Sequence, residues 1–407
     1  MATPLETNSL EVLPNELILK IASHFHPIPK PIMFPLIPGL ENLRTPENIA
    51  RRATLWSLCL TSHRISIVCT PVLYTSFIAF LPPLQVSICL LLRTLIEKPH
   101  LGKHIRYIEK QMPWDGCLVA PRPSELRQGA DYLRFTAMLR LAAIDLWETG
   151  NLPESGFGSH ILESSPDEAE LAILIVMSPN LRKLCFASRE TAVVLPVWHF
   201  IGFEVVDDHW KAREFSSLRT LCLAEKDCGF RDPDEDWQEH DLPKMPHLRV
   251  LHATGRVPDV LYLGLTSGPL TLTTLHLTAF TMSLLLVSGL VKACQSLRHF
   301  VLQYEYIMHP PRMGNLHDAL CLHETSLESI YLDLQILRTA SPTPEPGIGS
   351  FKSFSALRSL TACDVTLFGS LSPRRIYLEE DSELLRGLVT GIIPDQHCDL
   401  ANSFHQT

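Results

Sequence analysis

A single pattern, L-x-x-L-x-L, recurs seven times between residues 178 and 363 and restricts the fold more than anything else in the chain. The copies are "SPNLRKLCFA" (178–187), "FSSLRTLCLA" (215–224), "MPHLRVLHAT" (245–254), "PLTLTTLHLT" (269–278), "CQSLRHFVLQ" (294–303), "ETSLESIYLD" (324–333) and "FSALRSLTAC" (354–363), with Phe, Ile or Ala accepted at some later positions. Their lead residues are Leu181, Leu218, Leu248, Leu272, Leu297, Leu327 and Leu357, separated by 37, 30, 24, 25, 30 and 30 residues. In a strand, successive side chains point to opposite faces, so the closing leucines of each copy share one side and the intervening residues the other. One such unit cannot bury its own leucines, whereas stacked units form a continuous core beneath a parallel sheet. Helix-compatible stretches such as "TMSLLLVSGLVKAC" (281–294) lie between copies. The expectation is a stack of repeats over about 165–390. Unrelated buried strands of an ordinary α/β fold are the alternative, and seven copies in one register argue against it.

The outward strand residues are then the candidates for recognition. Alternation selects Lys183, Cys185, Thr220, Cys222, Val250, His252, Thr274, His276, His299, Val301, Ser329, Tyr331, Ser359 and Thr361. Cys222, His252, His276, Val301, Tyr331 and Thr361 head this set as substrate contacts. His252 and His276 occupy equivalent positions on adjacent strands, with Tyr331 two strands on. Such aligned donors could hold a metal or a phosphate, but rings on a concave face more often supply contact area, so no metal site is expected.

The N-terminal segment "EVLPNELILKIASHFHP" (11–27) carries more apolar residues than one buried helix face needs. Pro14 suits a first helical turn, and Glu16 the positive end of the helix dipole. At about 100° per residue, Leu17, Ile18, Ile21, Ala22 and Phe25 cover one arc, while Leu19 falls on the polar side. After a Pro-rich insert at 27–49 comes a second helical stretch, "ARRATLWSLCLTSHRISIVCTPVLYTSF" (50–77). In it Leu55, Leu58, Ile65 and Val68 can pack on the first helix, and Pro71 is expected to end the run.

L-P-x-E-L-x-x-x-I, then L-x-x-L-x-L and P-x-L-Y, resembles an F-box over residues 10–77, apart from the insert. F-box domains are small helical modules that dock on a Skp-type adaptor of cullin-RING ubiquitin ligases. The resemblance implies adaptor contacts at Leu13, Pro14, Leu17, Ile18 and Ile21, and at Leu58 and Leu60 in the second half. The seven copies are similar to the irregular leucine-rich repeats found behind fungal F-boxes. The Asn or Cys usual after the last Leu is missing, since Lys226, Arg256 and Phe280 stand there. "LLRTLIEKPHLGKHIRYIE" (91–109) and "GSFKSFSALRSL" (349–360) also look like segments of that family, the first as a capping-like repeat with "IRYIE" as its strand. The expected fold class is α/β: a small all-α F-box module (10–77), a linking segment (78–165), and a leucine-rich-repeat solenoid (166–393) of parallel strands with helices.

Composition narrows the function classes. The 407 residues are 46% hydrophobic and 19% charged, with a net charge of −9, so the basic footprint of a nucleic-acid binder is absent. Eleven cysteines form no C-x-x-C pair and are odd in number, which suggests neither a disulfide framework nor a zinc site. "MATPLETNSLE" does not read as a signal peptide, and the longest apolar runs fall short of the ~20 residues of a membrane span. A reduced compartment, cytoplasmic or nuclear, is expected. No G-x-S-x-G, phosphate-binding loop, H-E-x-x-H or dinucleotide fingerprint occurs, so neither an enzyme nor a cofactor is expected. A helical piece at 131–148 and an acidic loop, "EKDCGFRDPDEDWQEHD" (225–241), complete the inventory, the loop being a solvated connection or a contact for a basic segment. The F-box resemblance implies a substrate-recognition subunit that binds a Skp-type adaptor, and through it a cullin, and presents its repeats to a protein substrate. An interaction scaffold without ligase activity fits the same residues.

Overall fold

Each of the seven leucine-rich copies forms a strand, and all seven belong to one parallel sheet. The computed structural model describes residues 10–29, 40–79, 85–110, 141, 166–188, 203–206, 209–212, 214–225, 245–254, 269–279, 284–304, 313–333 and 348–362. The expected helical piece at 131–148, all but one residue of it, and the acidic loop beyond Glu225 lie outside them. The strands are β1 (Ser76–Ala79), β2 (Tyr107–Lys110), β3 (Lys183–Ser188), β4 (Phe203–Val206), β5 (His209–Ala212), β6 (Thr220–Glu225), β7 (Val250–Thr254), β8 (Thr274–Ala279), β9 (His299–Tyr304), β10 (Ser329–Asp333) and β11 (Ser359–Ala362). Nine of them pair in the order β1-β2-β3-β6-β7-β8-β9-β10-β11. β4 and β5, which no sequence pattern announced, form a separate antiparallel pair between β3 and β6 in the chain.

The register is uniform. Phe77, Ile108, Leu184, Leu221, Leu251, Leu275, Phe300, Ile330 and Leu360 stand side by side across the nine strands. All but the terminal Leu360 are buried, as are six of the lead leucines, Leu357 being half-buried. Helices α4 (Gln85–Glu97), α5 (Pro166–Val176), α6 (Leu284–Ala293) and α7 (Met313–Cys321) close this core from the other side. They do so through Leu92 and Leu95, Leu171 and Leu174, Val287 and Val291, and Leu316 and Leu320. Burying a leucine stabilises by roughly 1.5–3 kcal/mol, so the row is the main source of cohesion between neighbouring strands.

A main-chain ladder at the entry to the strands holds the register. The carbonyl before each strand accepts two N–H groups from the next: Thr75 from Arg106 and Tyr107, Arg106 from Arg182 and Lys183, Arg182 from Arg219 and Thr220, and so on to Glu328 from Arg358 and Ser359, at 2.8–3.1 Å. β1 precedes the strand expected from "IRYIE", which is β2. The sheet therefore starts within the last residues of the N-terminal segment.

That segment is a unit of three helices, α1 (Asn15–Ser23), α2 (Leu40–Thr61) and α3 (His63–Leu73). The stretch expected as one helix is divided at Ser62, whose hydroxyl accepts from the Ile65 N–H at 3.3 Å and caps α3. α2 begins well inside the Pro-rich insert, with Pro46 within it, and Pro71 lies inside α3 instead of ending it. Each proline removes one helical hydrogen bond, and tertiary contacts offset the loss: the hydrogen bonds of Arg44 and Asn48 on either side of Pro46, and the burial of Cys69 and Val72 on either side of Pro71. The unit has its own core of Ile18, Ala22, Leu55, Ile65, Cys69 and Val72.

Candidate functional site

Two surfaces carry the residues singled out by the sequence. On α1, Ile18 and Ala22 are one turn apart and are buried against α3, which leaves Leu17 and Ile21, also one turn apart, in solvent at 46% and 36% exposure. Leu19 is exposed on the opposite flank. Pro14 is exposed at the head of α1, and Leu13 is half-buried against the helical core. Leu60 on α2 is 71% exposed, Trp56 one turn before it is also exposed, and Leu58 packs on the core. Of the implied adaptor contacts, Ile18 is buried and Leu58 half-buried, both packed in the core of the helical unit.

Polar contacts fix how these helices run. Arg51 of α2 donates to the His24 and His26 carbonyls at 3.1 and 3.0 Å, beyond the C-terminus of α1. At the other end, Arg64 of α3 donates to Asn15 Oδ1 at 2.9 Å and to the Leu13 carbonyl at 2.6 Å. α2 is therefore antiparallel to α1, and its C-terminal residues Trp56 and Leu60 lie toward the end where α1 starts.

The second surface is the outward row of the sheet: Ile78, Glu109, Cys185, Cys222, His252, His276, Val301, Tyr331 and Thr361, aligned strand by strand. It is not uniformly open. Ile78, Glu109, Cys185, Cys222 and His276 are buried, His252, Val301 and Tyr331 are half-buried, and Thr361 is exposed. Of the expected substrate contacts, Cys222 and His276 are thus the two that the fold buries. Cys222 packs in a small cluster with Ile78, Tyr107 and Cys185. Its thiol donates to Cys185 and, with Lys183, holds the Cys185 thiol below its ordinary value despite burial. His276 stacks on His252 with ring centroids 4.0 Å apart and planes 4° apart, and burial pushes its pKa down to about 4, so the ring is neutral at pH 7. Parallel rings aim their nitrogen lone pairs along parallel planes, not toward one point. Among the described residues no group of three or more His, Cys, Asp or Glu is placed to hold a metal ion.

A buried network at the β1–β2 end joins the two surfaces, and nothing in the sequence announced it. Arg44 of α2 donates to both carboxylate oxygens of Glu109, at 2.9 and 2.5 Å, and the Tyr107 hydroxyl donates to the same carboxylate. Arg44 also donates to the Ile28 carbonyl at 3.1 Å, and Asn48 brackets Ile28, accepting from its N–H at 2.6 Å and donating to its carbonyl at 2.9 Å. Glu109 is visible in the sequence only as the last residue of "IRYIE", and its partner lies 65 residues away. A second feature that went unread is the arginine placed just before a strand, in "LR" of five of the seven copies. No protein-family model matches the chain, and neither a curated protein nor a solved structure does so.

Proposed function

We propose that the chain is a non-catalytic substrate receptor of a cullin-RING ubiquitin ligase, with an F-box-like helical unit that binds a Skp-type adaptor and a leucine-rich-repeat solenoid that binds a protein substrate. One observation carries this reading. A helical unit that buries a complete core of its own still leaves Leu17, Ile21, Trp56 and Leu60 in water, and exposed apolar groups that a fold does not need mark partner surfaces. The strand order, in which almost every strand pairs with the next one in the chain, supports stacked repeats. The receptor acts by proximity, holding a substrate lysine near the charged conjugating enzyme. It works in the cytoplasm or nucleus; no helix of the described residues is long and apolar enough to cross a membrane.

The test is co-purification of the full chain with a Skp-type adaptor. Leu17→Ala/Leu60→Ala removes two exposed anchors, each worth more than ~1 kcal/mol in a typical interface, and retention should drop while the helical content stays unchanged. Absence of adaptor binding by the wild type overturns the reading.

A further inference from the structure

The entry edge of the sheet carries a row of arginines. The residue before each strand is Thr75, Arg106, Arg182, Arg219, Arg249, Thr273, Arg298, Glu328 and Arg358, in the order of the strands across the sheet. All six arginines are exposed. Their backbones are tied to one another by the carbonyl ladder, so they repeat at the strand spacing of about 4.8 Å along one edge. Arg298 is paired with Glu328 at 3.4 Å, the one ion pair within this row among the described residues. Arg106, Arg182, Arg219 and Arg249 are four consecutive members with no carboxylate between them in the row.

This concentration of positive charge belongs to a chain whose net charge is −9. Lys103, exposed in the helical turn Pro99–His104 just before Arg106, adds a further cation at this end of the row. Like charges at this spacing are unfavourable in the isolated protein, and an anion laid along them relieves that. Guanidinium groups suit carboxylates in particular, since each can donate two parallel N–H bonds to the two carboxylate oxygens as a fork.

We propose that the edge formed by Arg106, Arg182, Arg219 and Arg249 is a docking surface for an extended, carboxylate-rich segment of a partner protein. Three strand spacings make about 14 Å, which an extended chain covers with about four or five residues at about 3.3 Å each. A protein partner is favoured over nucleic acid because the row is short and the rest of the chain is acidic, so a long polyanion meets repulsion outside the edge. The inference rests on the sheet alone and stands whether or not the helical unit meets an adaptor.

Fluorescence anisotropy with a labelled short oligoglutamate and the full-length protein tests it. Binding is expected at low ionic strength, weakening as salt screens the contacts. Arg182→Gln/Arg219→Gln should weaken binding roughly fivefold to tenfold, while Arg358→Gln, outside the uninterrupted stretch, should change it less than about twofold. These are surface substitutions, and an unchanged far-ultraviolet circular dichroism spectrum confirms that the variants are folded. No binding of oligoglutamate by the wild type, or equal binding by the double variant, overturns the proposal. So does tighter binding of a single-stranded oligouridylate through the same arginines, which would assign the edge to nucleic acid.

Discussion

At Gly102, in the turn Pro99–His104, a β-carbon would stand 2.0 Å from the Met177 carbonyl oxygen. Backbone, not a flexible side chain, blocks it. Gly102→Ala should destabilise by roughly 1–3 kcal/mol, read as a lower urea midpoint at unchanged slope. Nothing around Gly102 in the sequence reveals this, because Met177 is far away in the chain. His276 is a different case: alternation identified its face of the strand but not its burial, which depends on the ring of His252 across the sheet. Its folded pKa of about 4 lies below the usual 6.5, so the unfolded chain binds more protons between these values. The stabilising effect of a neutral His276 is complete above pH 6.5, shrinks as pH falls toward 4, and by then amounts to a loss of roughly 3 kcal/mol. In urea titrations at stepped pH, His276→Gln should remove that part of the acid sensitivity. Parallel wild-type and variant curves over this window would contradict it.

Among the elements, α2 departs most from what its sequence suggested. A proline-punctuated stretch reads as a connection, yet Leu40–Thr61 is one helix whose first turns deliver Arg44 to Glu109. The local signal was misleading because a tertiary contact outweighs a proline within the helix. Arg44 and Glu109 have side-chain exposures of 2% and 0%, so removing one partner leaves the other's charge in a water-poor site. Arg44→Met should destabilise by about 3–5 kcal/mol, and Arg44→Met/Glu109→Leu should recover a substantial part of that. A double-mutant cycle by chemical denaturation measures the coupling, and simple additivity would show that the pair is not linked in this way. The strands were far more legible than the helices. A two-residue period survives in each L-x-x-L-x-L copy whatever the connections do, and every copy became a strand.

For the whole molecule, cohesion is distributed along a line. Phe300 lies in the interior of the row with neighbours on both sides, whereas Leu360 sits on β11, which has one described neighbour and is only half-buried. Phe300→Ala should therefore destabilise by about 3–5 kcal/mol, and Leu360→Ala by less than about half as much, in the same denaturation assay. Equal losses would mean that the end of the sheet is as well covered as its middle. Stacked, in-register strands were readable from the seven copies, but the strand in front of "IRYIE" and the burial pattern of the outward row were not. Both arise from what lies across the sheet, and no local pattern encodes that.

The carbonyl ladder separates two quantities that a chain normally ties together. Between lead leucines the sequence runs for as few as 24 and as many as 37 residues, yet every copy meets its neighbour through the same pair of hydrogen bonds. Contour length varies while pitch stays constant, much as the rungs of a ladder keep their spacing however much rope hangs between them. Doubling a flexible connection costs only about 0.6 kcal/mol in closure entropy. The connections can therefore lengthen and diversify without displacing a single residue on the sheet they join.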